Sequence, residues 1–278
     1  MTATTSSGLS FLCRAVLAAA AVAVSAHDAA AQDSASAESL AKQLANPIAS
    51  LISVPFQNNW DRDIGPLEQG SRYTLNIQPV IPLSISQDWN LINRVILPVV
   101  DQSDVVPGAG SQFGLGDTVA SFFFSPKKPT AGGWIWGAGP VVLLPTGTND
   151  LLTSEKWGLG PTGVALRQDG PWTYGALANH IWSVAGSSGR PDVNSTFVQP
   201  FLTYTTKDAW SFVLQAEASY DWERDDLSVP VGFFVGKLFR IGGQSVQVIG
   251  GPRYYVSHFD NGPKGWGARL AITLLFPR

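Results

Sequence analysis

The chain has 278 residues, of which 45% are hydrophobic and only 14% are charged, and it includes 28 glycines. Soluble domains typically carry about 25% charged residues, so low charge without high hydrophobicity indicates elements that are polar on one side only. The net charge of −3 and the lack of a basic patch argue against a nucleic-acid partner.

The first 31 residues predict a signal peptide. Arg14 precedes a run of small apolar residues, 15–26, and the alanines 29–31 form an A-x-A-like cleavage site. Cleavage after residue 31 fits this pattern, and cleavage after residue 26 also fits. The apolar run is too short to cross a bilayer as a helix. The only cysteine, Cys13, lies within this segment, so the mature chain would form no disulfide.

Residues 32–50 predict a short periplasmic N-terminal segment. They are rich in alanine, serine and leucine with helical spacing, and Asn46 and Pro47 end the pattern. A short helix and a mobile tail both fit this composition.

Twelve segments then alternate between apolar and polar residues with the period of a β-strand. In the last one, Trp266, Leu270 and Phe276 share a wholly apolar face, whereas Arg269 and Thr273 lie on the other. Such a strand suits lipid on one side and an aqueous lumen on the other. The predicted strands are 51–58, 72–86, 89–99, 113–124, 133–144, 157–167, 172–184, 194–206, 209–220, 228–239, 245–257 and 265–276. The predicted fold class is all-β: a transmembrane antiparallel up-and-down β-barrel of about 12 strands over residues 51–278.

The connections between these strands alternate in length. Short ones such as 87–88 and 207–208 are followed by long ones such as 100–112 and 145–156. Outer-membrane barrels have short periplasmic turns and longer external loops. An even number of strands returns the C-terminus to the periplasmic side, and we therefore expect the bacterial outer membrane as the location, reached through the barrel-assembly machinery.

The tryptophans lie at the ends of the predicted strands and none lies in the middle. This placement predicts two aromatic girdles in contact with outer-membrane lipids, because an indole ring combines an apolar body with a polar N–H. A soluble β core would instead place them mid-strand. The girdle residues are Trp89, Trp134, Trp136, Trp172 and Trp210 next to short turns, Trp60, Trp157, Trp182, Trp222 and Trp266 next to long loops, and Phe276 at the end of the last strand.

Polar residues on the inward faces are candidates for lining the lumen. They are Asn76, Gln78, Arg94, Asp117, Gln199, Gln215, Glu217, Gln247, Arg253, Tyr255, Arg269 and Thr273. Asp117 is included because a carboxylate facing lipid would be costly. The arginines are expected to pair with Asp117 and Glu217, and direct contact with a solute is the alternative. An apolar path could be lined by Phe123, Leu177, Phe197 and Phe201, and the sequence does not choose between polar and apolar solutes.

Catalytic and metal-binding patterns are weak. An outer-membrane lipid hydrolase would use a histidine and a serine at the rim, and His258 with Ser257 or His180 with Ser183 are the candidates. Adjacent strand residues point to opposite faces, which disfavours the first pair. Two scattered histidines and no mature cysteine predict no metal site and no cofactor.

Short motifs along the mature chain resemble those of the bacterial outer-membrane transporter family associated with phenol meta-cleavage degradation pathways, some members of which are labelled "neuromedin U". They are Asn46-Pro47, the run 52–59 (ISVPFQNN), 114–117 (GLGD), 144–148 (LPTGT), 156–161 (KWGLGP), 172–175 (WTYG), 180–186 (HIWSVAG), 229–232 (VPVG) and the closing 275–278 (LFPR).

This resemblance implies a β-barrel and a channel or transporter role, with hydrophobic or aromatic compounds as solutes, and it implies no catalytic residue. The leading hypothesis is therefore passive uptake of small solutes through the lumen. The alternatives are a closed structural or interaction barrel and, with less support, the lipid hydrolase.

Overall fold

A computed structural model describes residues 37–277 as a closed antiparallel β-barrel. Fifteen strand segments follow a short helix, α1, at residues 37–44. They are β1 (Ile52–Ile64), β2 (Gly70–Ile77), β3 (Val80–Ser84), β4 (Trp89–Ser103), β5 (Ser111–Leu115), β6 (Thr118–Pro126), β7 (Trp134–Leu144), β8 (Lys156–Asp169), β9 (Trp172–Gly186), β10 (Asn194–Thr205), β11 (Trp210–Ala216), β12 (Ala218–Asp221), β13 (Asp226–Ile241), β14 (Gln244–Ser257) and β15 (Gly265–Phe276).

These segments form twelve spanning strands, because β2 with β3, β5 with β6, and β11 with β12 are each one strand with a brief interruption. Pro79 lies in the first interruption, where a residue without an N–H cannot donate to the ladder. Neighbours in sequence pair in the sheet, and β1 pairs with β15 to close the ring. The predicted fold class and strand number are confirmed.

The alternation of side chains also follows the prediction. In β15, Ile272 is 39% exposed on the outer surface, whereas its neighbour Thr273 is 4% exposed on the inside. The same two-residue period holds in β11, where Trp210 and Phe212 face outward and Ser211 faces inward. The apolar outer surface is thus built by every second residue of each strand.

The two ends of the barrel differ. One end, here called the turn end, has short connections such as Gly242–Gly243 between β13 and β14, both with positive φ (57° and 87°), as a tight hairpin turn requires. The other end, the loop end, carries longer connections such as 145–155 and 187–193. The first strand is longer than predicted: it extends to Ile64, and the predicted loop 59–71 shrinks to 65–69.

The N-terminal segment, residues 37–51, lies inside the barrel at the turn end. Helix α1 is thus confirmed, and it packs through Ala41 against the wall residues Leu238 and Leu275. Farther along the segment, Ile48 is 3% exposed and joins an apolar cluster on one wall of the barrel, formed by β4, β6, β8 and β9. Of the two alternatives for this segment, the structure shows the short helix, and Ala41, Ile48 and Leu51 are buried. The predicted signal peptide, residues 1–31, lies outside the described residues.

No helix within residues 37–277 combines the length and the apolar character needed to span a membrane.

Candidate functional site in the barrel interior

Two cavities lie inside the barrel. The loop-side cavity has a volume of about 430 Å³ and the turn-side cavity about 240 Å³. Both are bordered by the same five polar residues, which we call the polar belt. The belt consists of Gln57, Gln78, Arg94, Gln199 and Arg269. A solute moving between the cavities would therefore have to pass amide and guanidinium groups.

Arg269 is held in the belt by the carboxylate of Glu217, which lies between β11 and β12, three strands away along the wall. Its two terminal nitrogens each donate to Glu217, at 2.8 Å, and its Nε donates to Asn59 Oδ1 at 2.7 Å. This two-point contact matches the planar guanidinium to the planar carboxylate. Because Arg269 is only 8% exposed, the pair fixes both side chains in place and removes the cost of an isolated buried charge.

A second ion pair lies nearer the loop end. Arg253 donates to both carboxylate oxygens of Asp61 and also to the Tyr255 hydroxyl at 2.9 Å. The Tyr255 hydroxyl in turn donates to Asp61 at 3.1 Å. Glu217 lies 3.8 Å from Arg253, so the two ion pairs form one network. Since Asp61 and Arg253 are 6% and 7% exposed, each depends on the other for solvation.

Arg94 differs from these two arginines. Its one hydrogen bond within the described residues is to the neutral amide of Gln78, with 3.0 Å between the terminal nitrogen and Oε1. Within residues 37–277 no carboxylate lies within ion-pair distance of it. Arg94 borders both cavities, so its remaining N–H groups are accessible from the lumen.

One wall of the lumen is packed with apolar side chains. Ile92, Phe123 and Leu166 are fully buried there and pack against Ile48 of the N-terminal segment. Of the predicted apolar path, Leu177 and Phe201 border the turn-side cavity and Phe197 borders the loop-side cavity. Phe123 borders neither cavity, because it is part of the packed core.

The other predicted lumen residues are distributed over both cavities. Asn76, Glu217 and Arg253 border the loop-side cavity, and Gln215 and Gln247 border the turn-side cavity. Tyr255 and Thr273 face inward and are 9% and 4% exposed.

Asp117 does not join the lumen network and pairs with none of the arginines. Its carboxylate instead accepts hydrogen bonds from the backbone of Gly147, from the Thr153 hydroxyl at 2.7 Å and from the backbone and hydroxyl of Ser154. The expectation of an inward Asp117 is thus corrected: it lies between β5 and β6, at the loop end, and its charge is solvated by the 145–155 loop.

Sequence reasoning missed Asp61, which takes the place expected for Asp117. The signal was present, because Gln57, Asn59 and Asp61 continue the polar side of the alternation beyond residue 58. The predicted end of the first strand at residue 58 left Asn59 and Asp61 in a loop, whereas β1 extends to Ile64.

The predicted girdle residues lie on the outer surface, at the strand ends. Trp89 and Trp136 contact each other edge to face at the turn end, with ring centroids 5.9 Å apart, and Trp266 contacts Tyr254 at 5.0 Å near the loop end. The exposed fractions of the girdle residues range from 37% for Trp89 to 66% for Trp266. The other members are Trp134, Trp136, Trp157, Trp172, Trp182, Trp210 and Phe276. Trp60 and Trp222, at 43% and 56%, extend the loop-end set.

Neither histidine–serine pair is assembled in the described residues. His180 hydrogen-bonds the Thr196 hydroxyl at 2.7 Å, and Ser183 donates to Asp192. Ser257 donates to the Leu227 carbonyl, and His258 contacts the backbone of the following residue. The part of the chain described by the structure also contains no group of three or more residues arranged to hold a metal ion.

No protein-family model and no curated protein sequence matches the chain. Among solved structures it is similar to an outer membrane channel from Pseudomonas putida F1, with a TM-score of 0.65 and 14% identity over 82% of this chain and 96% of that chain. The NanC porin gives a TM-score of 0.48 and 9% identity, covering 82% of this chain and 100% of that one. Outer membrane phospholipase A from Escherichia coli gives 0.48 and 11%, covering 81% and 90%. The first similarity shows a shared fold.

Proposed function

We propose that this chain is an outer-membrane channel that admits small solutes by passive diffusion. The observation that carries the proposal is the pair of cavities that meet at the polar belt inside a closed barrel. The apolar outer surface with its aromatic girdles supports a membrane location. The shared fold with a bacterial outer membrane channel agrees with this role.

The proposed orientation places the turn end in the periplasm and the loop end outside the cell. Short turns face the periplasm in barrels of this kind. The signal peptide of residues 1–31 and assembly by the barrel-assembly machinery belong to the same proposal. They would deliver the mature chain to the outer membrane, where the girdles contact lipid.

For the solute we propose compounds with an apolar or aromatic body. The support is the lining of the turn-side cavity, where Leu177, Phe201, Val213 and Phe234 meet the belt. A purely hydrophilic pore would not place these side chains along the path.

A closed structural barrel is the second candidate, because the N-terminal segment occupies the turn end with Ala41, Ile48 and Leu51 each no more than 3% exposed. Passage past this segment needs the remaining gap or a displacement of the segment. Both candidates are testable by the same experiment, since only a channel carries a measurable flux.

The experiment is single-channel conductance of refolded residues 32–278 in planar bilayers, with two variants on β10. Gln199→Trp places a bulky ring in the belt, whereas Val198→Trp places the same ring on the outer surface, where Val198 is 37% exposed. We expect discrete current steps that Gln199→Trp reduces and Val198→Trp leaves unchanged. Silence from protein with the heat-modifiable mobility of a folded barrel would favour the closed barrel.

A further inference from the structure

The part of the lumen from the polar belt toward the loop end holds more positive than negative charge. Among the described residues there, four arginines face two carboxylates, which leaves 4 − 2 = 2 positive charges in excess. Asp61 neutralises Arg253, and Glu217 neutralises Arg269. The other two arginines are Arg72 and Arg94, and both donate to glutamine amides.

These two arginines differ in their surroundings. Arg72 lies opposite Asp61 in the β1–β2 ladder, and its partner Gln102 is itself hydrogen-bonded to Gln112 at 2.9 Å. Arg72 is therefore part of a closed polar network near the loop end. Arg94 borders both cavities and donates only to Gln78, while Glu217, already paired with Arg269, attracts it from beyond ion-pair distance. A cation removed from bulk water without a counter-ion is costly, so the site at Arg94 is electrostatically suited to an anion.

The residues that border the same cavities as Arg94 define the kind of anion. Gln199 borders both cavities with no hydrogen-bond partner among residues 37–277, so its amide can donate to a bound oxygen. On the turn side of the belt, the wall includes the apolar side chains of Val80, Val213, Phe234 and Ile249, next to polar ones such as Gln215 and Gln247. A charged head and an apolar body would thus find complementary surfaces next to each other.

From this juxtaposition we infer that Arg94 and Gln199 bind the carboxylate of an amphipathic monoanion whose apolar body lies in the turn-side cavity. A carboxylate suits the site because its two oxygens accept two parallel N–H bonds from a guanidinium. A single uncompensated guanidinium and one free amide match one negative charge. This inference rests on the proposed channel function and specifies the solute class for it.

The test is equilibrium dialysis of radiolabelled hexanoate against the detergent-solubilised mature protein, with 1-hexanol as the uncharged probe of the same chain length. We expect hexanoate to bind at least about tenfold more tightly than hexanol, since hydrogen bonds to charged groups contribute more than neutral ones. Arg94→Gln should remove this preference, and Arg94→Lys should retain part of it. Arg167→Gln is the control, because Arg167 lies at the turn end and pairs with Asp169 outside the cavities.

A second pair of variants tests the apolar part of the site. Val213→Trp fills the turn-side cavity and should abolish hexanoate binding, whereas Leu214→Trp, on the 49% exposed outer surface of the same strand, should not. Hexanoate binding that is equal in Arg94→Gln and wild type, or hexanol binding as tight as hexanoate, would overturn the inference. Dialysis tests the carboxylate site, whereas conductance tests the channel function, so the two proposals can fail separately. A protein that conducts but does not bind hexanoate refutes only the carboxylate site.

Discussion

Ile48 anchors the N-terminal segment to the barrel wall, and its truncation should release the segment. Ile48 is 3% exposed and packs in one cluster with Ile92, Phe123 and Leu177. Truncation of such a residue to alanine costs about 2–5 kcal/mol. At about 1.4 kcal/mol per factor of ten, Ile48→Ala should raise the fraction of molecules with an undocked segment roughly 30- to 4,000-fold.

Hydrogen exchange of peptides from residues 41–51 measures this release. Docking protects amides such as that of Ala45, which donates to the Ala41 carbonyl at 3.1 Å, and that of Ala49, which donates to Asn46 at 3.1 Å. We expect faster exchange in Ile48→Ala than in wild type, with strand peptides unchanged. If the segment closes the turn end, the variant should also show larger or more frequent current steps.

The matched control is Val141→Ala. Val141 is fully buried, but its cluster contains Leu143 and Ile181 and does not include Ile48. This change should lower barrel stability without selective exposure of residues 41–51. Unchanged protection of residues 41–51 in Ile48→Ala would refute the reasoning that burial of this side chain holds the segment in place.

Three further predictions concern the wall and the loops. Asp61→Ala leaves Arg253 without its main counter-ion and should lower the free energy of unfolding by about 3–5 kcal/mol. The measurement is the temperature at which the barrel loses the distinct migration of its folded form in SDS gel electrophoresis, which should fall. Gly160→Ala would place a Cβ 1.7 Å from a carbonyl oxygen of β9, so the folded yield should fall sharply. Hydrogen bonds from Lys156 and Ser183 lower the pKa of Asp192. Its contribution to loop stability is therefore present above the ordinary carboxyl pKa of about 4 and is lost as pH falls through the lowered value, which pepsin cleavage of loop 187–193 would report.

Each of these has its own control. Asp192→Ala removes an ion pair whose acid is largely exposed, so it should change global stability far less than Asp61→Ala. Gly163→Ala on the same strand meets nothing closer than 3.8 Å and should refold normally. Asp192→Asn should make the cleavage of loop 187–193 independent of pH in the acid range. Equal losses of stability in Asp61→Ala and Asp192→Ala would contradict the argument from the buried ion pair. Normal refolding of Gly160→Ala would contradict the argument from the Cβ clash. If loop 187–193 is not cleaved more readily as the pH falls, the argument from the Asp192 pKa is wrong.

Local patterns were sufficient to predict the strands and their faces. The two-residue period in β15 predicts Arg269 and Thr273 inside and Trp266 and Phe276 outside, as the structure has them. The prediction succeeds because one face of each strand is in contact with an apolar environment along its whole length, so every second residue must be apolar. The even number of strands followed from counting these periods.

The positions of strand interruptions and strand ends are harder to predict from the sequence. The first strand was predicted to end at residue 58 and continues to Ile64. Polar residues such as Asn59 and Asp61 look like loop residues in isolation. They are strand residues here because inward positions of a barrel can be polar, and because Arg269 on the neighbouring strand β15 and Arg253 on β14 provide their partners.

The sequence by itself determined that this chain forms a barrel and how many strands it has, and for the strands with clear alternation it determined which residues face lipid. Only the tertiary structure decided that Asp61 pairs with Arg253, 192 residues away, and that Arg94 lacks a carboxylate partner among the described residues. It also decided that Ile48 packs into the lumen. The physical reason is range: periodicity is a property of neighbouring residues, whereas ion pairs and cavities depend on the register of strands that meet only when the barrel closes.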